Sequence, residues 1–283
     1  MPELPEVHTT VEGLKRVIVG QTIKKVWSDF HIGTTRIQKS TLKNKGHYAL
    51  FRKGITGTKI SSLERLGKNI LIHLSNQKTI VVHMKMTGCL MYDVTDRFVH
   101  LKIELGNGKN LVLSDIRKFA SVSLHDTKNI KENERLATLG PDALTIGPAE
   151  FERRLKSKKR WPIKSALLEQ TLVAGIGNIY SDEMLFATSV HPLSSAGKIP
   201  SPKYAELHKA MKRILLFSIK HGGDSKSDYR NAFGEKGGFQ NFHQVYGKKG
   251  EPCPKKTCAG IIQRTVVKGR SSHFCPKHQI LYV

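Results

Sequence analysis

The chain opens Met1-Pro2-Glu3-Leu4-Pro5-Glu6-Val7. Proline and acidic side chains suit the first turn of a helix, where no N–H is missed and the dipole is positive. Val7, Val11, Leu14 and Ile18 then recur at helical spacing, which predicts a helix through this segment. Glu3 and Glu6 fall one turn apart, so such a helix directs both carboxylates toward Pro2. Removal of Met1 exposes a secondary amine. An α-amino group titrates near ~7.7–8.0, so part of it is a neutral nucleophile at physiological pH, able to attack a sugar aldehyde carbon and form an iminium ion. Glu3 is the candidate acid/base: it protonates a departing oxygen and then, as carboxylate, removes a proton beside the iminium. The same pentapeptide also reads as a plain helix start, and the rest of the chain has to decide between the two.

Working outward, the 283 residues are enough for two domains with separate cores. Lysine and arginine number 47 against 23 acidic residues, a formal charge of +24 spread along the whole sequence. A surplus that large repels itself unless a polyanion binds, and nucleic acid is the expected partner, with affinity falling steeply in salt. The sequence has no signal-peptide pattern and no apolar run long enough to span a bilayer, so the protein is expected to be intracellular and cytoplasmic. Cys89 stands alone, whereas Cys253, Cys258 and Cys275 cluster, which in a reducing compartment points to metal before disulfide.

Residues 22–125 read mostly as strands, with alternating runs at 70–74 and 79–86 and a hairpin formed by 101–105 and 110–113 around Gly106-Asn107-Gly108-Lys109. The strand pattern fades after 128, and Gly140-Pro141 breaks the chain before helical stretches at 150–156, 164–173, 181–187 and 203–220. The expected fold is α+β: an N-terminal β-sandwich with flanking helices over 1–135, a helical domain over 136–242 and a C-terminal hairpin module over 243–283.

Several groups of residues carry chemistry. Cys253-x4-Cys258 followed by Cys275-x2-His278 supplies two ligand pairs, the pattern of a tetrahedral zinc site closed across a hairpin. Strands at 261–267 and 271–274 around Lys268-Gly269-Arg270 would place the Arg270 guanidinium at the tip, where it can fork onto a phosphate. Ala174-Gly175-Ile176-Gly177-Asn178 precedes a helix and reads equally as an anion site with Asn178 as donor or as a tight interhelical turn. Lys68, in Gly67-Lys68-Asn69 before a strand, is a candidate phosphate ligand. Met86, Arg117 and Phe119 read singly as two core residues and a phosphate contact, and together as a set that fills the gap left by a base turned out of a duplex. The basic run Lys156-Ser157-Lys158-Lys159-Arg160 reads as a solvated helix end near a phosphate backbone.

Three ordered motifs now resemble the bacterial formamidopyrimidine-DNA glycosylase family: Met1 to Val7, Gly175-Ile176-Gly177-Asn178-Ile179-Tyr180, and Val245-Tyr246-Gly247-Lys248-Lys249-Gly250-Glu251-Pro252-Cys253. The resemblance runs nearly end to end. It implies a β-sandwich, a helix–two-turn–helix module and a zinc finger, with double-stranded DNA in the cleft, one structural zinc ion and a monomer. By position it makes Pro2 the Schiff-base nucleophile, Glu3 the acid/base partner and Glu6 a support for the amine. Lys68, Asn178 and Arg270 become phosphate ligands around a flipped nucleotide, and Met86, Arg117 and Phe119 the trio inserted into the stack. Residues 222–238 correspond to the region of the loop that closes over the damaged base. The implied activity is excision of oxidised purines followed by β- and δ-elimination. An oxidised-pyrimidine enzyme of the endonuclease VIII branch and a non-catalytic damage-binding protein are the alternatives.

The chain departs from the family pattern at Asp115-Ile116-Arg117-Lys118-Phe119, where the family commonly has Asp-Pro-Arg-Arg-Phe; Lys118 replaces a phosphate-type arginine and is kept as a DNA contact. Its finger replaces the usual four cysteines and Cys-x2-Cys first pair by Cys253-x4-Cys258 with Cys275-x2-His278. His8 stands where glutamate is typical.

Overall fold

The structure, a computed structural model, describes residues 1–32 and 41–283. Residues 33–40 of the expected strand region lie outside the described residues. The chain divides into two compact units: Met1–Ala137 with His221–Gly238, and Thr138–Lys220 with Phe239–Val283.

In the first unit, helix α1 (Leu4–Ile18) begins at an N-cap on Glu3, and Val7, Val11, Leu14 and Ile18 are all buried. Among the described residues eight antiparallel strands follow: β1 (Ile23–Ser28), β2 (Ile60–Leu66), β3 (Asn69–Leu74), β4 (Lys78–His83), β5 (Gly88–Tyr92), β6 (Val99–Leu105), β7 (Asn110–Asp115) and β8 (Ser121–Asp126). They form two sheets, ordered β1-β6-β7-β5 and β2-β3-β4-β8. Leu101, Ile103, Leu111 and Leu113 of one sheet share a core with Ile70, Ile72, Ile80 and Val82 of the other and with Val7 and Val11 of α1, so the two sheets are a sandwich. Alternation puts Cys89, Met91 and Val112 on the opposite face of the first sheet, where they form a smaller apolar cluster.

Helix α2 (Lys45–Ile55) corrects the reading of 22–125 as mostly strand. Asn44 caps it by accepting from the His47 amide, and Phe51 and Ile55, one turn apart, enter the sandwich core. A single buried pair is too short a signal to register against the strand-rich surroundings.

Helix α3 (Glu134–Ala137) closes this part of the chain. The second unit holds α4 (Pro148–Lys156), α5 (Ile163–Leu168), α6 (Asn178–Ala187) and α7 (Ser201–Lys220), then the hairpin of β9 (Gln263–Val267) and β10 (Arg270–Phe274). The helix expected over 164–173 stops at Leu168 because the Gln170 side chain organises the following turns. Its Nε2 donates to the carbonyls of Leu168 and Ile176, and its Oε1 accepts from the Gly175 amide at 2.9 Å. The hairpin module shares a compact unit with the helices, and His221–Gly238 packs with the sandwich.

Candidate functional site

Pro2 and Glu3 are buried immediately before the first turn of α1. Glu3 and Glu6 close a reciprocal capping box, in which the Glu3 amide donates to Glu6 Oε2 at 2.7 Å. The second oxygen, Oε1, accepts from the Asp224 amide at 2.7 Å. The carboxylate expected to support the amine therefore ties together the helix start and the 221–238 segment. Gly223 makes this approach feasible: its φ is +85°, and a Cβ there would sit 3.1 Å from Glu6 Oε1.

Sequence reasoning passed over Tyr229, which is buried and donates its hydroxyl to the Glu6 carbonyl at 3.0 Å. Burial pushes this phenol well above its ordinary range, so it stays a donor. Beside it, the Arg230 amide donates to Cys89 Sγ at 3.3 Å and the thiol faces the Asp228 carbonyl at 3.5 Å. Cys89, left as a solitary core residue by the sequence, is the point where β5 receives this segment. Only tertiary contact reveals it.

Lys68 is buried in the two-residue turn joining β2 to β3, where Leu66 pairs with Asn69 and Gly67 adopts φ 57°. Helix α1 packs on both strands, so Lys68 and Glu3 belong to one rigid frame.

The loops that carry Met86, Arg117 and Phe119 are tied to each other, the Arg117 amide lying 3.3 Å from Thr87 Oγ1. Asp115, at the end of β7 and wholly buried, accepts from the Thr87 hydroxyl, from the Arg117 amide at 3.3 Å and from the Ala120 amide at 2.6 Å. It thereby fastens the loop carrying Met86 to the loop carrying Arg117 and Phe119. The Arg117 guanidinium lies 4.4 Å over the Phe119 ring, and Met86, Ile116 and Phe119 are all exposed. Lys118 turns away from this group and pairs with Asp29 Oδ2 at 3.1 Å.

In the second unit, Asn178 opens α6 and donates from Nδ2 to Ser271 Oγ at 3.3 Å, next to Arg270 on the hairpin. Arg270 is exposed and is the first residue of β10; the turn itself is Lys268-Gly269, both at positive φ. This shortens the expected three-residue tip. Two acidic residues that the sequence reading did not single out hold the hairpin and the 244–246 segment, respectively. Asp182, on α6 and fully buried, accepts from Lys164 Nζ at 2.6 Å, Ser272 Oγ at 2.6 Å and the His273 amide at 2.9 Å. Glu183 accepts from the amides of Gln244, Val245 and Tyr246. Their signal in sequence is only an acidic pair inside an otherwise apolar helix.

Cys253, Cys258, Cys275 and His278 place their ligand atoms within 4.8 Å of one another. Cys258 and Cys275 sulfurs are 3.6 Å apart, close to the ~3.8 Å edge of a tetrahedron built on zinc–thiolate bonds, and His278 Nδ1 lies 3.4 Å from Cys253 Sγ. Gly260 is the cradle: a Cβ there would lie 2.5 Å from Cys275 Sγ. The donor set fits one structural zinc ion with all four positions taken by protein. His273 is not a ligand; it faces Asp182.

Family models match nearly the whole chain: the formamidopyrimidine-DNA glycosylase N-terminal domain over residues 1–122, the formamidopyrimidine-DNA glycosylase H2TH domain over 139–230, and the zinc finger found in FPG and IleRS over 250–277. The chain belongs to the formamidopyrimidine-DNA glycosylase family. Relatives of that name from Novosphingobium aromaticivorans and Herpetosiphon aurantiacus are 37% and 38% identical, covering 99% and 98% of this chain and 100% and 98% of their own lengths. The Lactococcus lactis Fpg, solved with abasic-site DNA, is 32% identical with a TM-score of 0.85, covering 97% of this chain and 98% of its own. MutM solved with carbocyclic 8-oxo-G DNA matches equally well. Among the described residues, no helix is long and apolar enough to cross a membrane.

Proposed function

We propose that this protein is a base-excision repair DNA glycosylase that removes oxidised purines, 8-oxoguanine and formamidopyrimidines, and then cleaves the strand as an abasic-site lyase. The observation that carries the reading is the start of α1, where a proline that becomes N-terminal on loss of Met1 is buried beside a helix-capping glutamate. The Pro2 amine attacks C1′ of the damaged nucleotide, the C1′–base bond breaks and the amine gives up its proton as the base departs; the C1′–O4′ bond then breaks to leave an iminium ion at C1′. Glu3 delivers a proton to O4′ during opening of the sugar and, as carboxylate, takes the C2′ proton, so that the 3′ phosphate departs by β-elimination; loss of the C4′ proton from the conjugated product then expels the 5′ phosphate by δ-elimination.

The remaining residues position the substrate. Lys68, Asn178 and Arg270 bind backbone phosphates, and Met86, Arg117 and Phe119 enter the space vacated by the flipped nucleotide. Glu6 acts by holding Glu3 and Asp224 together. The zinc ion supplies a fixed base for the hairpin that presents Arg270, and it takes no part in the chemistry. The protein works in the cytoplasm, on nucleoid DNA, as a monomer.

Borohydride trapping on a duplex with one 8-oxoguanine opposite cytosine tests the reading. A covalent adduct mapped to Pro2, with release of the base, is expected. No adduct on this duplex or on abasic DNA, from protein whose mass confirms a Pro2 terminus, overturns it in favour of a binding protein. Release of oxidised pyrimidines in preference to purines supports the endonuclease VIII branch.

A further inference from the structure

We propose that Lys118 is a positioning residue that braces the Arg117–Phe119 wedge against Asp29, and that it is not a ligand for DNA phosphate. The proposal deepens the reading above and rests on it only for the role of Arg117 and Phe119 beside the vacated stack.

Among the described residues, the loop between β7 and β8 carries both wedge residues and has three anchors, the third being Lys43 Nζ, which donates to the Phe119 carbonyl at 3.3 Å. The first is Asp115, whose carboxylate receives Thr87, Arg117 and Ala120. The second is Lys118. Its ammonium reaches Asp29 Oδ2 at 3.1 Å, the Asp29 carbonyl at 3.3 Å and the Ile32 carbonyl at 3.4 Å. Three oxygens match the three donors of an ammonium, so none remains for a phosphate. Asp29 is itself fixed, with Oδ1 2.8 Å from His100 Nδ1 and its amide donating to the His100 carbonyl at 3.2 Å. The pair is largely screened from solvent, its side chains being 29% and 24% exposed.

The backbone agrees with this arrangement. Lys118 has φ 52°, a conformation that costs a non-glycine residue energy and persists only where its surroundings hold it. With Lys118 directed inward, the residues on either side of it present the guanidinium and the ring as a stacked pair, with Phe119 42% exposed. Whatever frees Lys118 therefore loosens the pair that enters the vacated stack, without removing any DNA contact.

The test compares Lys118→Met, Asp29→Asn and the double variant with the wild type. Hydrogen exchange of the 115–120 amides in DNA-free protein reads the brace directly and does not depend on any activity. Both single variants are expected to lose protection there and nowhere else, and the double variant to lose no more than either single. On DNA, each is expected to lower the ratio of kcat/KM for 8-oxoguanine opposite cytosine to that opposite adenine by roughly fivefold, while the slope of binding against salt stays at the wild-type value. A slope shallower by about 0.9 in Lys118→Met but not in Asp29→Asn identifies a phosphate ligand and overturns the proposal. Unchanged exchange in both single variants also overturns it. If the wild type excises no oxidised purine, the functional reading fails and the exchange experiment still decides the brace.

Discussion

The Glu6 carboxylate accepts the backbone amide of Asp224 at 2.7 Å across 218 positions of sequence. The same side chain holds the Glu3 amide at 2.7 Å. One buried carboxylate thus couples the start of α1 to the 221–238 segment. An anion accepting two N–H donors is a strong arrangement, and a neutral amide cannot replace it, because its NH2 group would face a donor.

Glu6→Gln is therefore expected to lower stability by about 1–3 kcal/mol and to expose the amides of 223–225 to exchange. Urea unfolding measures the first and hydrogen exchange the second. Excision should fall in parallel, since both halves of the coupling are released.

Lys164 and Asp182 form an ion pair with both side chains fully buried, and Asp182 also holds Ser272 and His273. Asp182→Asn leaves a buried ammonium without its counter-ion, with an expected cost of about 3–5 kcal/mol. Urea unfolding should show that cost. Hydrogen exchange should show the 271–274 strand deprotected first, and DNA binding weakened as Arg270 loses its platform.

Cys89 gives a pH dependence with a definite sign. Burial pushes its thiol up to about 11 from an ordinary value of 9.0, so the folded protein holds this proton more tightly than the unfolded chain does. The contribution to stability is present below the unfolded value and is lost as pH rises from there toward the folded one. Stability measured from pH 8 to 10.5 should decline more in the wild type than in Cys89→Ala. Alkylation of native protein at pH 8 should leave Cys89 unmodified.

Removal of the metal should release the hairpin and leave the sandwich folded, because the zinc ligands all lie in the second unit. Gly260→Ala probes the same site without touching a ligand, since its Cβ would lie 2.5 Å from the Cys275 sulfur. Zinc content after purification is expected to fall from one ion per chain, and binding of lesion DNA to weaken with it.

Much of the molecule was legible in local pattern. The α1 repeat, the hairpin around Gly106 to Lys109, the last helix and the paired zinc ligands all depend on spacings of a few residues, which the sequence displays directly. Helix α2 and the early end of α5 were not legible. Each turns on one side chain, Asn44 capping the first and Gln170 donating to the Leu168 carbonyl at the end of the second.

By itself, then, the sequence determined the order of modules, the zinc ligands and the residue types at the N-terminus, because these are properties of short stretches and of total charge. Tertiary structure alone decided what those residues face. Glu6 meets Asp224, Tyr229 reaches the Glu6 carbonyl, Asp182 grips the hairpin, and Lys118 turns inward to Asp29. These partners lie from 89 to 223 positions apart. Which buried donor meets which buried acceptor over such distances is set by packing of the whole core, and no local periodicity encodes it.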